Sequence, residues 1–229
     1  KRHLMHGTTR HGTQYLADPE KQFLPLAYYH PTTPSGEMLK DNPMNVQDIG
    51  MIGLGSGALG AYLQEGQSMT IYELDADNVE IAEEHFSFLE HGRNNGAEID
   101  FVVGDGRLAI KSLEDATYDL FIVDAFSSDS VPVHLITIEA FQEYLRILKP
   151  NGILLMHCSN RYLDLLGLIQ SNAKAMGVLF LFNENIGLAN GDSLGSDWVV
   201  FSPSNDVLVT LSKKLNWKPY KSATPLPDP

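Results

Sequence analysis

Three carboxylates mark where this sequence can do chemistry. Glu73 ends the apolar run MTIYEL, Asp105 follows IDFVVG within GDGR at 104–107, and Asp124 ends the run YDLFIV. Each run reads as a strand, so each acid falls at a strand's carboxyl end. In open α/β sheets, ligands bind in the crevice outside those ends. One acid there could arise by chance; three at successive strand ends point to a site. A glycine loop precedes them. IGMIGLGSGALG, residues 49–60, carries Gly53, Gly55, Gly57 and Gly60. It satisfies the dinucleotide-type pattern in two registers, Gly53-Gly55-Ala58 and Gly55-Gly57-Gly60, and Glu73 follows Gly53 by 20 residues, where that fold keeps a ribose-binding acid. No Gly-Lys-Ser/Thr follows, so it is not a phosphate-cradling P-loop. The loop alone would also fit a strand-to-helix turn that needs only small residues. The acids shift the reading to a nucleoside site: Glu73 for the ribose hydroxyls, Asp105 beside an adenine amino group, and Asp124 at the same edge.

The elements that must position these residues alternate from residue 47 onward. Strand-like runs DIGMIGL, MTIYEL, IDFVVG, YDLFIVDAF and GILLMHC are separated by helical segments, and VLFLF and DWVVFS close the sheet. Helices are expected at 58–64, 106–114 and about 164–176. Asp75 can cap a helix in which Val79, Ala82, Phe86 and Leu89 recur at three- and four-residue spacing. KPNG, residues 149–152, reads as a turn. Near-continuous apolar strands alternating with helices indicate a parallel sheet covered on both faces. The expected fold is α/β: a doubly wound, mainly parallel, seven-stranded Rossmann-like sheet. The expected division is a β-hairpin element and connector over 1–45, a nucleoside-binding domain over 46–215 and a tail over 216–229.

Composition narrows the function. The 229-residue chain carries a formal net charge of −13. Phosphate backbones want a basic face, so nucleic acid is not an expected partner. Cys158 is the single cysteine, which rules out an intrachain disulfide, and its place at the end of an apolar strand suggests a buried, inert thiol. His3, His6 and His11 are loosely spaced on the expected hairpin, with no Cys or acid at ligand spacing, so no metal site is expected. Trp198 reads as core.

These motifs resemble the spermidine synthase-like aminopropyltransferases of the class I S-adenosylmethionine-dependent fold. IGLGSGALG is similar to that family's glycine loop, YELDADNVEIAEEHF to its Glu-Ile-Asp stretch and following helix, GDGR to its Gly-Asp-Gly, and YDLFIVDAFSSDSVP to the segment that carries its catalytic acid. The resemblance implies that Gly53, Gly55, Gly57, Glu73, Asp75, Asp105, Gly106 and Gln14 bind the nucleoside co-substrate. It makes Asp124 the catalytic acid, with Asp129, Tyr28 and Tyr29 at the amine. The departures fall at the amine end. The usual Asp-Ser-Ser-Asp-Pro is stretched to DAFSSDSVP, Tyr28-Tyr29-His30 lacks the usual Glu, and NGDSLGSDW offers no clear match for a late Tyr. HGTTRHGTQ and the Tyr-Tyr pair look most like the variant found as a domain of bacterial multi-span membrane proteins. A chain starting at Lys1 is then expected to follow a membrane portion and to sit at the cytoplasmic face, tethered to the inner membrane. A homodimer is compatible with this reading.

The co-substrate so implied is decarboxylated S-adenosylmethionine, or S-adenosylmethionine itself. A sulfonium has three electrophilic carbons, and an attacking amine must first lose a proton. Alkyl amines have pKa values near ~10, so a carboxylate such as Asp124 is needed as acceptor. Asp129, Asp192 or Asp197 could hold a distal ammonium, and Tyr28 and Tyr29 could face the cation. The products are methylthioadenosine and a longer amine, with no metal required. Alternatives are a methyltransferase or an S-adenosylmethionine-cleaving enzyme of the same fold, a non-catalytic nucleoside sensor, and a nicotinamide oxidoreductase, which GDG and the acidic fourth strand end disfavour.

Overall fold

The structure, a computed structural model, describes residues 1–7, 9–126, 131–159 and 165–220. Strands β1 (Arg2–His6) and β2 (Thr9–Gln14) pair antiparallel as a separate hairpin. A connector follows, in which Thr33 caps helix α1 (Pro34–Asp41) by accepting from the Gly36 N–H. The remaining strands form one sheet: β3 (Asp48–Ile52), β4 (Ser68–Glu73), β5 (Glu98–Val103), β6 (Tyr118–Val123), β7 (Leu148–His157), β8 (Phe180–Gly187), β9 (Leu194–Phe201) and β10 (Lys218–Pro219). The helices between them are α2 (Ala76–His85), α3 (Phe88–Asn94), α4 (Gly106–Ile110), α5 (Ile138–Arg146), α6 (Leu165–Met176) and α7 (Asn205–Lys214). None of the helices among the described residues is long and apolar enough to cross a membrane.

The order across the sheet is β10-β8-β9-β7-β6-β3-β4-β5. Strands β3 to β7 are parallel; β9 pairs antiparallel with β7, β8 antiparallel with β9, and β10 antiparallel with β8. From β3 the chain winds outward one way through β4 and β5, then returns to the other side of β3 with β6 and β7. The switch point lies between β3 and β6, where α/β sheets of this topology open a crevice. Each face of the sheet buries its own core. Ile49, Met51, Ile71, Leu120 and Trp198 belong to one, and Phe121, Val123, Leu154, Tyr144 and Phe201 to the other. Alternate residues of β6 divide between the two, as the period of two in a doubly covered strand requires.

The α/β expectation holds, with an eighth, two-residue strand at the edge beyond the seven foreseen. That strand also moves the expected boundary at 215. Trp217 is 1% exposed and Lys218–Pro219 pair with β8, so the sheet domain continues at least through Pro219. Other differences are local. KPNG does not turn the chain; it lies inside β7, where the register against β6 jumps from Tyr118↔Leu148 to Leu120↔Ile153. Pairing with β6 keeps the chain extended and the turn residues appear as a bulge. The segment after the glycine loop is a single 3₁₀ stretch, Ala58–Tyr62, because glycines at 57 and 60 leave little helical propensity. The single helix expected from Val79 to Leu89 is broken at Phe86–Ser87 into α2 and α3.

Candidate active site

A cavity of about 1090 Å³ opens at the carboxyl ends of β3, β4, β5 and β6. Its walls bring together Gly53, Gly55, Glu73, Asp75, Asp105, Gly106, Asp124, Tyr28 and Tyr29. Glu73, Asp105 and Asp124 are far apart in sequence, and the parallel sheet aligns the strand ends that carry them. The cavity is closed from above by the hairpin, through His6, Arg10 and His11.

The glycine loop allows these close approaches. Gly53 has φ +91°, and a Cβ there would collide with the Asp124 carbonyl oxygen. Its N–H donates to the Tyr72 carbonyl, while the Asp124 N–H donates to Ile52, so the loop is stitched to both neighbouring strands. Gly55, at φ +54°, abuts the hairpin: a Cβ would lie 2.7 Å from the His11 carbonyl oxygen. Both positions need a residue without a Cβ.

Glu73 is held in place by its surroundings. Oε2 accepts from the Leu54 N–H at 2.9 Å and from Asn78 Nδ2 at 3.1 Å, and Oε1 accepts from the Asp75 N–H at 3.0 Å. A carboxylate offers about four acceptor sites, so roughly one remains, on Oε1. Holding both ribose hydroxyls at once therefore requires Asn78, which also donates to the Gly55 carbonyl, to turn away. Asp75 lines the same wall and caps α2, accepting from the Asp77 N–H at 3.0 Å. Asp105 caps α4 through Oδ1, which accepts from the Leu108 N–H, and its Oδ2 lies 3.7 Å from His134 Nε2.

The other side of the cavity is built around Asp124, which is 8% exposed. Oδ1 lies 2.8 Å from His157 Nδ1. Oδ2 is buried and meets no partner at hydrogen-bonding geometry among the described residues. The Tyr29 hydroxyl interacts with the carboxylate: burial first, then the Asp124 charge and side-chain hydrogen bonding with Asp124, push its pKa well above that of an ordinary tyrosine. Tyr29 is thus a donor and not a base. His157, 4% exposed, stacks on Trp198 at 4.4 Å and 6° and packs against Phe126 and Tyr28. Beyond it, Asp197 on β9 faces Glu184 on β8 across the antiparallel pair. Burial, then the Glu184 charge, raise the Asp197 carboxyl, with His157 opposing. Both acids line the cavity.

Some expected residues fall elsewhere. Gln14 points away from the cavity, donating to the Gln22 carbonyl and to Ser87 Oγ, because its place on β2 turns it toward α3. Gly57 does not line the cavity either; it packs against Leu89. Asp192 is outside, tied to Lys1 at 2.6 Å and to the Tyr15 hydroxyl at 2.7 Å, which hold its carboxyl below the usual range. Asp129 lies outside the described residues. Cys158 is buried, which raises its thiol pKa.

The residue that sequence reasoning missed is His157. No histidine near Asp124 in sequence offers itself as a neighbour, but β7 lies beside β6 in the sheet. Its signal was present: His157 ends the apolar run GILLMH, by the same strand-end rule that singled out the three acids.

The architecture is a Rossmann-like α/β sheet. It aligns with a probable spermidine synthase from Corynebacterium glutamicum at TM-score 0.54, with 19% identity over 75% of this chain and 65% of that one. It aligns equally with human methyltransferase-like protein 13, solved in complex with SAH, at TM-score 0.55, with 18% identity over 82% and 92% of the two chains. At these identities the likeness concerns the fold alone. The sequence decides the family: residues 37–200 match the spermine/spermidine synthase domain, and the chain belongs to that family. Among curated relatives, the polyamine aminopropyltransferase of Vibrio vulnificus (strain CMCP6) is 31% identical over 142 residues, 60% of this chain. The match spans 44% of that relative's length.

Proposed function

We propose that this domain transfers an aminopropyl group from decarboxylated S-adenosylmethionine to a small amine, releasing methylthioadenosine. The observation that carries the reading is Asp124, at the wall of the cavity that Glu73 and Asp105 share: one carboxylate oxygen is held by His157, while the other is buried and has no partner at hydrogen-bonding geometry among the described residues. The adenosine lies along the glycine loop, with a ribose hydroxyl on Glu73 Oε1 and the adenine beside Asp105 and Gly106. That places the sulfonium toward Asp124. An ammonium nitrogen hydrogen-bonded to Oδ2 gives up its proton there. Its lone pair forms the new N–C bond on the aminopropyl carbon as the C–S bond breaks, and the electron pair stays on sulfur. Sulfur loses its positive charge, Asp124 becomes neutral, and the amine is longer by one aminopropyl unit. Positioning and proton acceptance supply the rate. Tyr28 and Tyr29 wall the amine side, and Glu184 with Asp197 supply negative charge for the acceptor.

Mass spectrometry of the products tests the reading. Decarboxylated S-adenosylmethionine with putrescine should give methylthioadenosine and an aminopropylated amine, in amounts that depend on putrescine. A methylated amine formed from S-adenosylmethionine, or nucleoside release without any amine, would replace the proposal with the methyltransferase or cleaving alternative. The reading also takes the domain to be tethered at the cytoplasmic face of a membrane protein, as HGTTRHGTQ and the Tyr-Tyr pair suggest. Fractionation of the full-length protein into the soluble phase would contradict that part.

A further inference from the structure

His157 has no role in the transfer just described, yet it is the nearest polar group at bonding distance from the acid that would do the chemistry. We infer that His157 is a positioning residue for Asp124: its Nδ1–H donates to Oδ1, so that Oδ2 alone is presented to the incoming amine. The role of Oδ2 rests on the aminopropyl-transfer reading; the direction of the hydrogen bond does not.

That direction follows from the carboxylate end of the chain of contacts, and the other end agrees with it. The Asp197 backbone N–H can only donate, and it does so to Ser159 Oγ at 2.7 Å. The Ser159 hydroxyl keeps its one hydrogen and a second lone pair, and that hydrogen can go to His157 Nε2, 2.9 Å away. With Nε2 accepting, the ring proton belongs on Nδ1, 2.8 Å from Asp124 Oδ1. An ionised carboxylate can only accept, so this end also requires a donor. Backbone amide, hydroxyl, imidazole and carboxylate thus point one way, and the orientation of the imidazole is set by what its other nitrogen meets. Packing fixes the ring as well. It is sandwiched against Trp198, with Phe126 set edge-on at 4.8 Å, so it cannot turn without losing the stack.

Two consequences follow. The carboxylate cannot rotate freely, because Oδ1 is tethered, and Oδ2 keeps one orientation. His157 is also not a relay: Nδ1 already carries a hydrogen, so the proton taken from the amine stays on Asp124 until product leaves.

The test has two arms. In the first, long-range proton–nitrogen NMR on 15N-histidine-labelled protein reads the hydrogen on each ring nitrogen of His157 directly. The inference expects the Nδ1–H tautomer; a hydrogen on Nε2 overturns it. In the second arm, His157→Asn keeps a donor near the Nδ1 position, His157→Gln places its amide near Nε2 instead, and His157→Leu keeps neither. Leu and Gln should lower kcat by about 10–100-fold, the range for residues that orient an active group through a hydrogen bond, with methylthioadenosine affinity unchanged, which also reports that each variant folds. Asn should recover most of the lost kcat. If Asn is as impaired as Leu, or the loss falls on nucleoside affinity instead, His157 is not a positioning residue. If the wild type forms no aminopropylated amine, the functional reading fails, while the tautomer measurement still decides the hydrogen bond.

Discussion

The two sides of the cavity are built by opposite rules. On the glycine-loop side the acids already have partners: Glu73 accepts from Leu54, Asp75 and Asn78, and Asp75 and Asp105 cap helices. On the β6–β9 side the polar groups are left in need. Among the described residues Asp124 Oδ2 and Ser196 Oγ are buried with no partner at hydrogen-bonding geometry, and Glu184 sits directly opposite Asp197. An unsatisfied buried acceptor costs about 1–3 kcal/mol, and like charges facing each other across a sheet are destabilising. The acids of the first side are already held in a frame to which a nucleoside adds its contacts, although Ser56 Oγ in the glycine loop is buried without a partner among the described residues. The second is completed only by a ligand that brings N–H donors and positive charge, which is what an alkylammonium brings. On the proposed reading, the difference assigns binding to one side and chemistry to the other.

The largest effect should come from the unfinished side. Asp124→Asn keeps the shape but cannot accept the proton, so turnover should fall by ~10²–10⁴-fold, the typical contribution of proton transfer, while calorimetry shows methylthioadenosine binding little changed. A parallel loss of nucleoside affinity would dissolve the division between the two sides. On the finished side, Glu73→Ala removes an acceptor from the ribose and also frees the Leu54 and Asp75 amides. Methylthioadenosine binding should weaken by more than ~1.5 kcal/mol, the scale of hydrogen bonds to charged groups; unchanged affinity would remove Glu73 from the site.

The smallest effect concerns stability. The Asp197 carboxyl is raised in the folded protein by burial and by Glu184. The folded state therefore holds this proton more tightly than the unfolded chain does. The group's contribution to stability is fully present below the ordinary Asp value of 3.8 and is lost as pH rises through the raised value. Asp197→Asn should thus melt higher than wild type at neutral pH, by roughly 1–2 °C for a chain of this size, and the gap should close in acid. Added diamine should stabilise the wild type more than the variant. A variant that melts lower at neutral pH would mean that Asp197 is satisfied by something other than a ligand.

Much of the nucleoside side was legible in the sequence. Glu73, Asp105 and Asp124 end apolar runs, and a parallel α/β sheet brings such ends to one edge whatever their separation along the chain. What was not legible depends on pairing and register. His157 lies 33 residues from Asp124 and becomes its neighbour only because β7 follows β6 in the sheet. The Glu184–Asp197 opposition depends on the register of β8 against β9, which apolar alternation does not specify. Gln14 was misplaced for a related reason: on a two-stranded hairpin, which residue faces the cavity is decided by the packing of the hairpin on α3. KPNG has strong turn chemistry, but pairing of β7 with β6 overrides it.

The most direct test is a crystal structure with methylthioadenosine and a diamine bound together. The account predicts the ribose on Glu73, the adenine beside Asp105, the sulfur directed toward Asp124, and one amine nitrogen at about 2.9 Å from Oδ2, an ordinary hydrogen-bond length. A thioether turned away from Asp124, or an amine bound with Oδ2 still unpartnered, would contradict it.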